Sequence, residues 1–313
     1  FHNFSYGFRP HRRAVDAAAV VAKECYRRRY VFDADIEKFF DKVVPRKMMG
    51  ILRTEIVDPR VLRLIQLFFQ SGVQEIGKPW ERQEFGVPQG GPLSPLLANI
   101  YLHELLDEPF AKNFGKSDKV KLVRYADDFV IMVQNKIDRE YVEKLVRGCL
   151  QVGGLKLKEE KTRWIDMSNW SRNYQSKFNF LGFKFHLRSY KDNATRFWIA
   201  RQPSEEARKA LRISLRERLY PGLSLQEAYE RLEQTWLGWC EYFRYGNSNR
   251  IFYRERKQAK KIYLWYLARK FRRQRKAVHW RVLYRWKRKL TNTLRVPKIL
   301  ADHLARAEQA QTL

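Results

Sequence analysis

Two acidic residues stand side by side in "LVRYADDFVIMV" (Leu122 to Val133): Asp127 and Asp128, between runs of apolar and β-branched residues. In extended chain, adjacent side chains point to opposite faces, so a regular strand cannot aim both at one target. A reversal at Ala126 to Asp128 brings Asp127, with Asp128 beside it, toward a common point, where their repulsion calls for a cation. An ordinary acidic turn, whose Asp side chains bond to local backbone, is the competing reading. The apolar flanks place the turn at the rim of a buried sheet. Upstream, "VFDADIEKFFDKV" supplies Asp33 and Asp35, which share one face by the two-residue period of a strand. Mg²⁺ is commonly held by one or two carboxylates together with substrate phosphates. Two such ions roughly 4 Å apart suit phosphoryl transfer, here nucleotide addition.

These carboxylates need a scaffold, and its elements are legible. "YVFDADI" reads as a strand, "RVLRLIQLFFQSG" as a helix ending at Gly72, and "SPLLANIYLHELLD" as a helix starting after Pro92. "VKLVRYADDFVIMV" gives two strands with a tight connection, and "REYVEKLVRGCLQVGG" an amphipathic helix with a glycine stop. Strands and helices in this order predict an α+β fold, an antiparallel sheet with helices on one face.

After about Arg201 the character changes. Ser224 and Glu227 stand at capping-box spacing. Leu225, Tyr229, Leu232, Trp236, Trp239 and Phe243 follow at steps of four and three, the stripe of a bundle helix. The expected domains are therefore 1–200 and 201–313. From Ile251 to Leu300 there are 18 Lys and Arg against one acid, Glu255, interleaved with aromatics. Surfaces selected only for solubility intersperse both signs, so this excess predicts a phosphate-binding surface.

The whole chain has 313 residues, 44% of them hydrophobic, enough to bury a substantial core, and a formal net charge of +29. Such a charge repels itself unless a polyanion is near, and nucleic acid is the commonest. No run of about 18 apolar residues and no signal peptide is found, so no membrane partner is expected. Cys25, Cys149 and Cys240 lie far apart and the six histidines are scattered singly, which suggests neither a disulfide framework nor a zinc site.

The motifs resemble those of group II intron reverse transcriptases. Tyr125-Ala126-Asp127-Asp128 resembles the catalytic box of reverse transcriptases, "SYGFRPHRRAVDA" a finger motif, and "DADIEKFFD" the motif of the first catalytic aspartate. "GVPQGGPLSPLLANIYL" is similar to the substrate-binding motif, "GLKLKEEKT" to the one after it, and "FNFLGFKF" to the primer grip. The chain opens at Phe1 and lacks the motif that usually precedes the finger motif, so the resemblance implies an N-terminally incomplete member.

The resemblance implies a right-hand polymerase palm with partial fingers over 1–200 and a helical thumb and maturase domain X over 201–313. It implies two Mg²⁺ ions at Asp35, Ile36, Asp127 and Asp128, with Asp35 rather than Asp33 as ligand because an aromatic, Phe40, stands five residues on. Phe40 resembles the steric gate under the sugar, while Phe39 reads as core. Gln89 and Gly90 resemble residues bordering the incoming nucleotide. Lys161 stands where a lysine reaches the triphosphate, the alternative being a surface pair with Glu159 or Glu160. Leu181 and Gly182 resemble the primer-holding hairpin. Arg9, Arg12 and Arg13 fit a basic finger loop, and Arg272, Arg273, Arg275, Arg285, Lys287, Arg288 and Lys289 fit contacts to RNA phosphates. Expected partners are a group II intron RNA, a target DNA primer and deoxynucleotides, in a prokaryotic cytoplasm or nucleoid or in an organelle. Two rival readings are a non-enzymatic RNA-binding maturase and a related reverse transcriptase serving host defence.

Overall fold

The computed structural model describes residues 1–70, 86, 91–168, 176–189, 197–271 and 294–297. The chain forms two compact units, Phe1–Leu181 and Gly182–Leu313.

In the first unit the elements run α1 (Ala14–Arg27), β1 (Tyr30–Ala34), α2 (Phe39–Lys42), α3 (Pro45–Glu55), α4 (Pro59–Gln70), α5 (Ser94–Leu102), a π-helical turn (His103–Asp107), α6 (Glu108–Phe114), β2 (Val120–Tyr125), β3 (Asp128–Val133), α7 (Asp138–Val152), a 3₁₀ turn (Glu159–Lys161), β4 (Arg163–Asp166) and β5 (Lys177–Phe180). The sheet has the order β2-β3-β1-β4, every pair antiparallel. β3 is its most apolar strand, buried from Phe129 to Val133, as a central strand covered on two sides must be.

Strand alternation sorts the faces. Phe32, Ala34, Leu122, Phe129 and Ile131 join one core with Leu97, Tyr101 and Leu102 of α5, Leu106 of the π turn, Phe110 of α6 and Val142, Val146 and Leu150 of α7. α1 covers part of the opposite face, where the Cys25 thiol meets Met132 Sδ at 3.8 Å. The segment expected to be one helix after Pro92 is interrupted: the π turn joins α5 to α6, and the Glu108 N–H bonds to the His103 carbonyl, an i to i+5 link.

The second unit holds β6 (Phe183–Ser189), β7 (Phe197–Pro203), α8 (Glu205–Arg218), α9 (Leu225–Phe243) and α10 (Asn249–Lys270). The division falls at Leu181 and Gly182, earlier than the change of character near Arg201. The reason is packing. The β6–β7 hairpin stacks Phe183 on Tyr242 and sets it edge to face with Phe243 of α9, and Asn247 bonds to Arg201 and Gln202. α9 opens with the expected capping box of Ser224 and Glu227 and buries Tyr229, Leu232, Trp236 and Phe243. Glu255, the single acid of the basic stretch, is fully buried between Arg208 and Arg212, so it neutralises nothing on the surface. Among the described residues no helix is long and apolar enough to cross a membrane.

Candidate active site

β2 and β3 pair from Val120 with Val133 to Tyr125 with Asp128, which leaves Ala126 and Asp127 as a two-residue connection. Ala126 has φ 56°, a left-handed conformation that a residue with a Cβ adopts at a cost. The surroundings hold it there. Arg124, fully buried, donates Nη1 to the Ala126 carbonyl at 2.8 Å and to Asn99 Oδ1 at 3.0 Å. Its Nε and Nη2 fork onto the equally buried Asp107 carboxylate. The strip Phe4–Tyr6 lies along the β2 edge, where Arg124 N–H donates to the Phe4 carbonyl and Tyr6 N–H to the Arg124 carbonyl. Gly7 then packs on the turn: a Cβ there would stand 2.3 Å from the Ala126 nitrogen. Asn99 Nδ2 donates to the Gly7 carbonyl at 2.6 Å.

The carboxylates gather on the sheet face opposite the main core. Asp33 pairs with Val130 and Asp128 with Tyr125, so alternation places Asp33 and Asp128 on the same side. Asp35 follows directly on β1. Its carbonyl accepts from the Lys158 N–H at 2.8 Å, and Ile36, buried, bridges Leu157, so this segment is clamped by the stretch after α7. Lys161 Nζ donates to Asp35 Oδ2 at 2.7 Å rather than to Glu159, whose carboxylate pairs with Arg147. Arg163 of β4 approaches Asp33 Oδ2 at 3.4 Å. The Leu181 N–H donates to Asp128 Oδ2 at 3.3 Å.

Burial dominates the electrostatics. It pushes Asp128 up to about 7 against the opposing Leu181 N–H, with Asp127, Asp33 and Asp35 pushing the same way. Burial likewise raises Asp33 to about 6, opposed mainly by Arg163. Asp127 is raised by burial, with Asp35 adding to it. Lys161 is held above the usual lysine range by its bond to Asp35. This is a concentrated, incompletely compensated set of hard oxygen donors, which fits a divalent cation of the Mg²⁺ type.

Around it, Phe39 is buried in the core and Phe40 is partly exposed, their rings edge to face at 5.3 Å. Gly86 has φ 95° and donates to the Val43 carbonyl, and a Cβ there would meet the Phe40 carbonyl at 2.7 Å. Leu181 and Gly182, with φ 50° and 74°, both take the left-handed region. Arg9 donates to the carbonyls of His2 and Ser5, Arg12 to Asn3, and Arg13 to Asp16, so all three tie down the segment before α1. Gln89, Gly90, Arg272, Arg273, Arg275, Arg285, Lys287, Arg288 and Lys289 lie outside the described residues.

Sequence reasoning missed Arg124, Asp107, Asn99 and Gly7, which shape the turn without belonging to the carboxylate set. A signal existed for Arg124, a charge inside the apolar flank of a turn read as the rim of a buried sheet, since buried charges must find partners.

The geometry is that of a palm: an antiparallel sheet carrying acids at a hairpin turn and at a neighbouring strand end. Residues 1–185 match the family described as reverse transcriptase (RNA-dependent DNA polymerase). The chain belongs to this family, and its α+β architecture is the reverse transcriptase palm and fingers followed by a helical region. It is 33% identical over 191 residues to protein YkfC of Escherichia coli, about 50% of each chain. It is also 33% identical over 145 residues to the group II intron-encoded protein LtrA of Lactococcus lactis, covering 46% of this chain and 20% of LtrA. Thus the chain spans half or less of the length of these relatives. An apo telomerase structure from Candida tropicalis aligns over 94% of this chain and 50% of its own at 13% identity and TM-score 0.48.

Proposed function

We propose that this chain is the polymerising part of a group II intron-encoded protein, an RNA-directed DNA polymerase that also binds its intron RNA and assists splicing and retrohoming. What supports the reading is that Asp128 lies on the same sheet face as Asp33, with Asp127 beside it at the turn and Asp35 just past the end of β1, in a member of the reverse transcriptase family.

Asp35, the Ile36 carbonyl, Asp127 and Asp128 would hold two Mg²⁺ ions, whose chemistry is to acidify a hydroxyl and neutralise phosphate charge. The chain's own groups do the rest. The primer 3′-OH attacks the nucleotide α-phosphate, and pyrophosphate leaves. Lys161, on the rim beside Asp35, supplies positive charge and a proton to the leaving group. Phe40, partly exposed and edge to face with Phe39, presents a flat ring under the sugar and clashes with a 2′-OH. Leu181 and Gly182 hold the primer end, and the Leu181 N–H couples that grip to Asp128. Gln89 and Gly90 border the nucleotide. The helical region acts as thumb and domain X, and Arg272, Arg273, Arg275, Arg285, Lys287, Arg288 and Lys289 contact RNA phosphates.

The test is primer extension on an RNA template with Mg²⁺, run beside binding to a structured intron RNA. Asp127→Ala should abolish extension and leave RNA binding and splicing nearly intact. Loss of RNA binding in the same variant would mean that the two roles share a site and that the assignment is wrong.

A further inference from the structure

We propose that His2, His103 and Glu108 form a site for a divalent transition ion of the zinc class, apart from the carboxylates at the turn. His2 Nε2 lies 3.0 Å from Glu108 Oε1, and His103 Nε2 lies 3.4 Å from the same oxygen. The three ligand atoms all fall within 4.8 Å of one another. A zinc ion bound at about 2.0–2.1 Å to tetrahedral ligands sets them roughly 3.3 Å apart, so two edges of the cluster already have coordination spacing. Two imidazoles and one carboxylate leave a fourth position for water, and the mixed nitrogen and oxygen donors favour zinc-like ions over Mg²⁺.

The fold builds this cluster with a specific device. His103 and Glu108 are five residues apart, a spacing that an α-helix does not stack. The π turn, closed by the Glu108 N–H on the His103 carbonyl, does stack it. Behind His103, its Nδ1 is buried without a hydrogen bond and stands 3.6 Å from Asp107 Oδ2. A carboxylate behind the outer ring nitrogen is the arrangement that fixes a ligating tautomer, leaving Nε2 free to coordinate. The rings of Phe1 against His103 and Phe4 against His2 wall the cluster, and its ligands remain partly exposed to solvent.

The consequence is mechanical. Asp107 also carries Arg124, which holds the Ala126 carbonyl of the catalytic turn. His2 also offers its carbonyl to Arg9 at 2.6 Å. An ion at this site pins the segment before α1 to the palm and braces the turn through His103, Asp107 and Arg124. Because the histidines are 101 positions apart, a sequence with scattered histidines gives no hint of the pair.

The test uses the full chain carrying Asp35→Asn and Asp127→Asn, which silences the carboxylate set as a competing metal site. Titration with Co²⁺ should give visible d–d absorption saturating at one ion per chain and displaced by Zn²⁺. His103→Gln and His2→Asn should each weaken Co²⁺ binding by tenfold or more. Should His103→Gln lose its native circular dichroism, His2→Asn, on the partly exposed amino-terminal segment, decides alone. Absence of the absorption, or binding unchanged in His2→Asn, would mean that His2 and Glu108 are merely hydrogen-bonded, and would overturn the proposal.

Discussion

Arg124 and Asp107 form a fully buried ion pair directly behind the turn that carries Asp127, with Arg124 also bonded to the Ala126 carbonyl and Asn99. Removing one partner of such a pair leaves an uncompensated buried charge and costs roughly 3–5 kcal/mol. Arg124→Met should therefore lower the unfolding free energy by that amount, read from denaturant titration, and also depress primer extension. The double variant Arg124→Met with Asp107→Leu should recover part of the stability but not the extension, since the Ala126 carbonyl still lacks its donor. A stability loss below about 1 kcal/mol in the single variant would contradict the buried-charge account.

Gly7→Ala probes the close approach between the amino-terminal strip and the turn. The added methyl carbon meets the Ala126 nitrogen at 2.3 Å, a backbone atom that moves only if the turn moves. Overpacking of this kind costs about 1–3 kcal/mol. Extension should fall more than RNA binding. Wild-type extension and an unchanged denaturant midpoint would mean that Gly7 does not buttress the turn.

Asp128→Asn tests the electrostatics by the pH dependence of stability without added metal. Burial raises Asp128 to about 7, whereas an unfolded aspartate titrates near 3.9. Its favourable contribution to the folded state is thus complete below about pH 4 and is lost as pH rises through about 7. Asn keeps an acceptor for the Leu181 N–H but carries no charge. The variant should match wild type at pH 4 and exceed it by on the order of 1–3 kcal/mol at pH 8. A wild type that is the more stable of the two at pH 8 would contradict the sign.

Lys161→Met separates chemistry from stability. The ion pair with Asp35 is largely exposed, and exposed pairs contribute at most about 1 kcal/mol, so the denaturant midpoint should hardly move. The rate of nucleotide addition should fall tenfold or more with RNA affinity unchanged. A rate within twofold of wild type would remove Lys161 from the site.

The strands β1 to β3 are legible because they are short apolar, β-branched runs around a turn signal, and α9 because Ser224 and Glu227 spell its start. Asp35 and Asp127 are legible as a sequence motif, and their shared role as cation ligands is proposed. The Lys161 contact with Asp35 and the Arg124 pair with Asp107 are not legible, because pairing across 126 or 17 positions is set by tertiary packing and leaves no local period. The π turn escaped for a related reason: the apolar pattern of "SPLLANIYLHELLD" runs on at helical spacing while the backbone shifts to i+5 bonding. The compact units divide at Leu181 and Gly182, not at the change of composition near Arg201, because the β6–β7 hairpin packs with α9 and Asn247, a tertiary contact without a local sequence period.

Asp35 and Asp127 are proposed to share a cation. The most direct measurement is a crystal structure with an RNA template, a DNA primer and a non-hydrolysable deoxynucleotide, soaked with Mn²⁺ and recorded at the manganese edge. An anomalous peak ligated by both Asp35 and Asp127 beside the nucleotide α-phosphate is the expected result. Anomalous density that touches neither carboxylate, with the nucleotide bound elsewhere on the sheet, would contradict it.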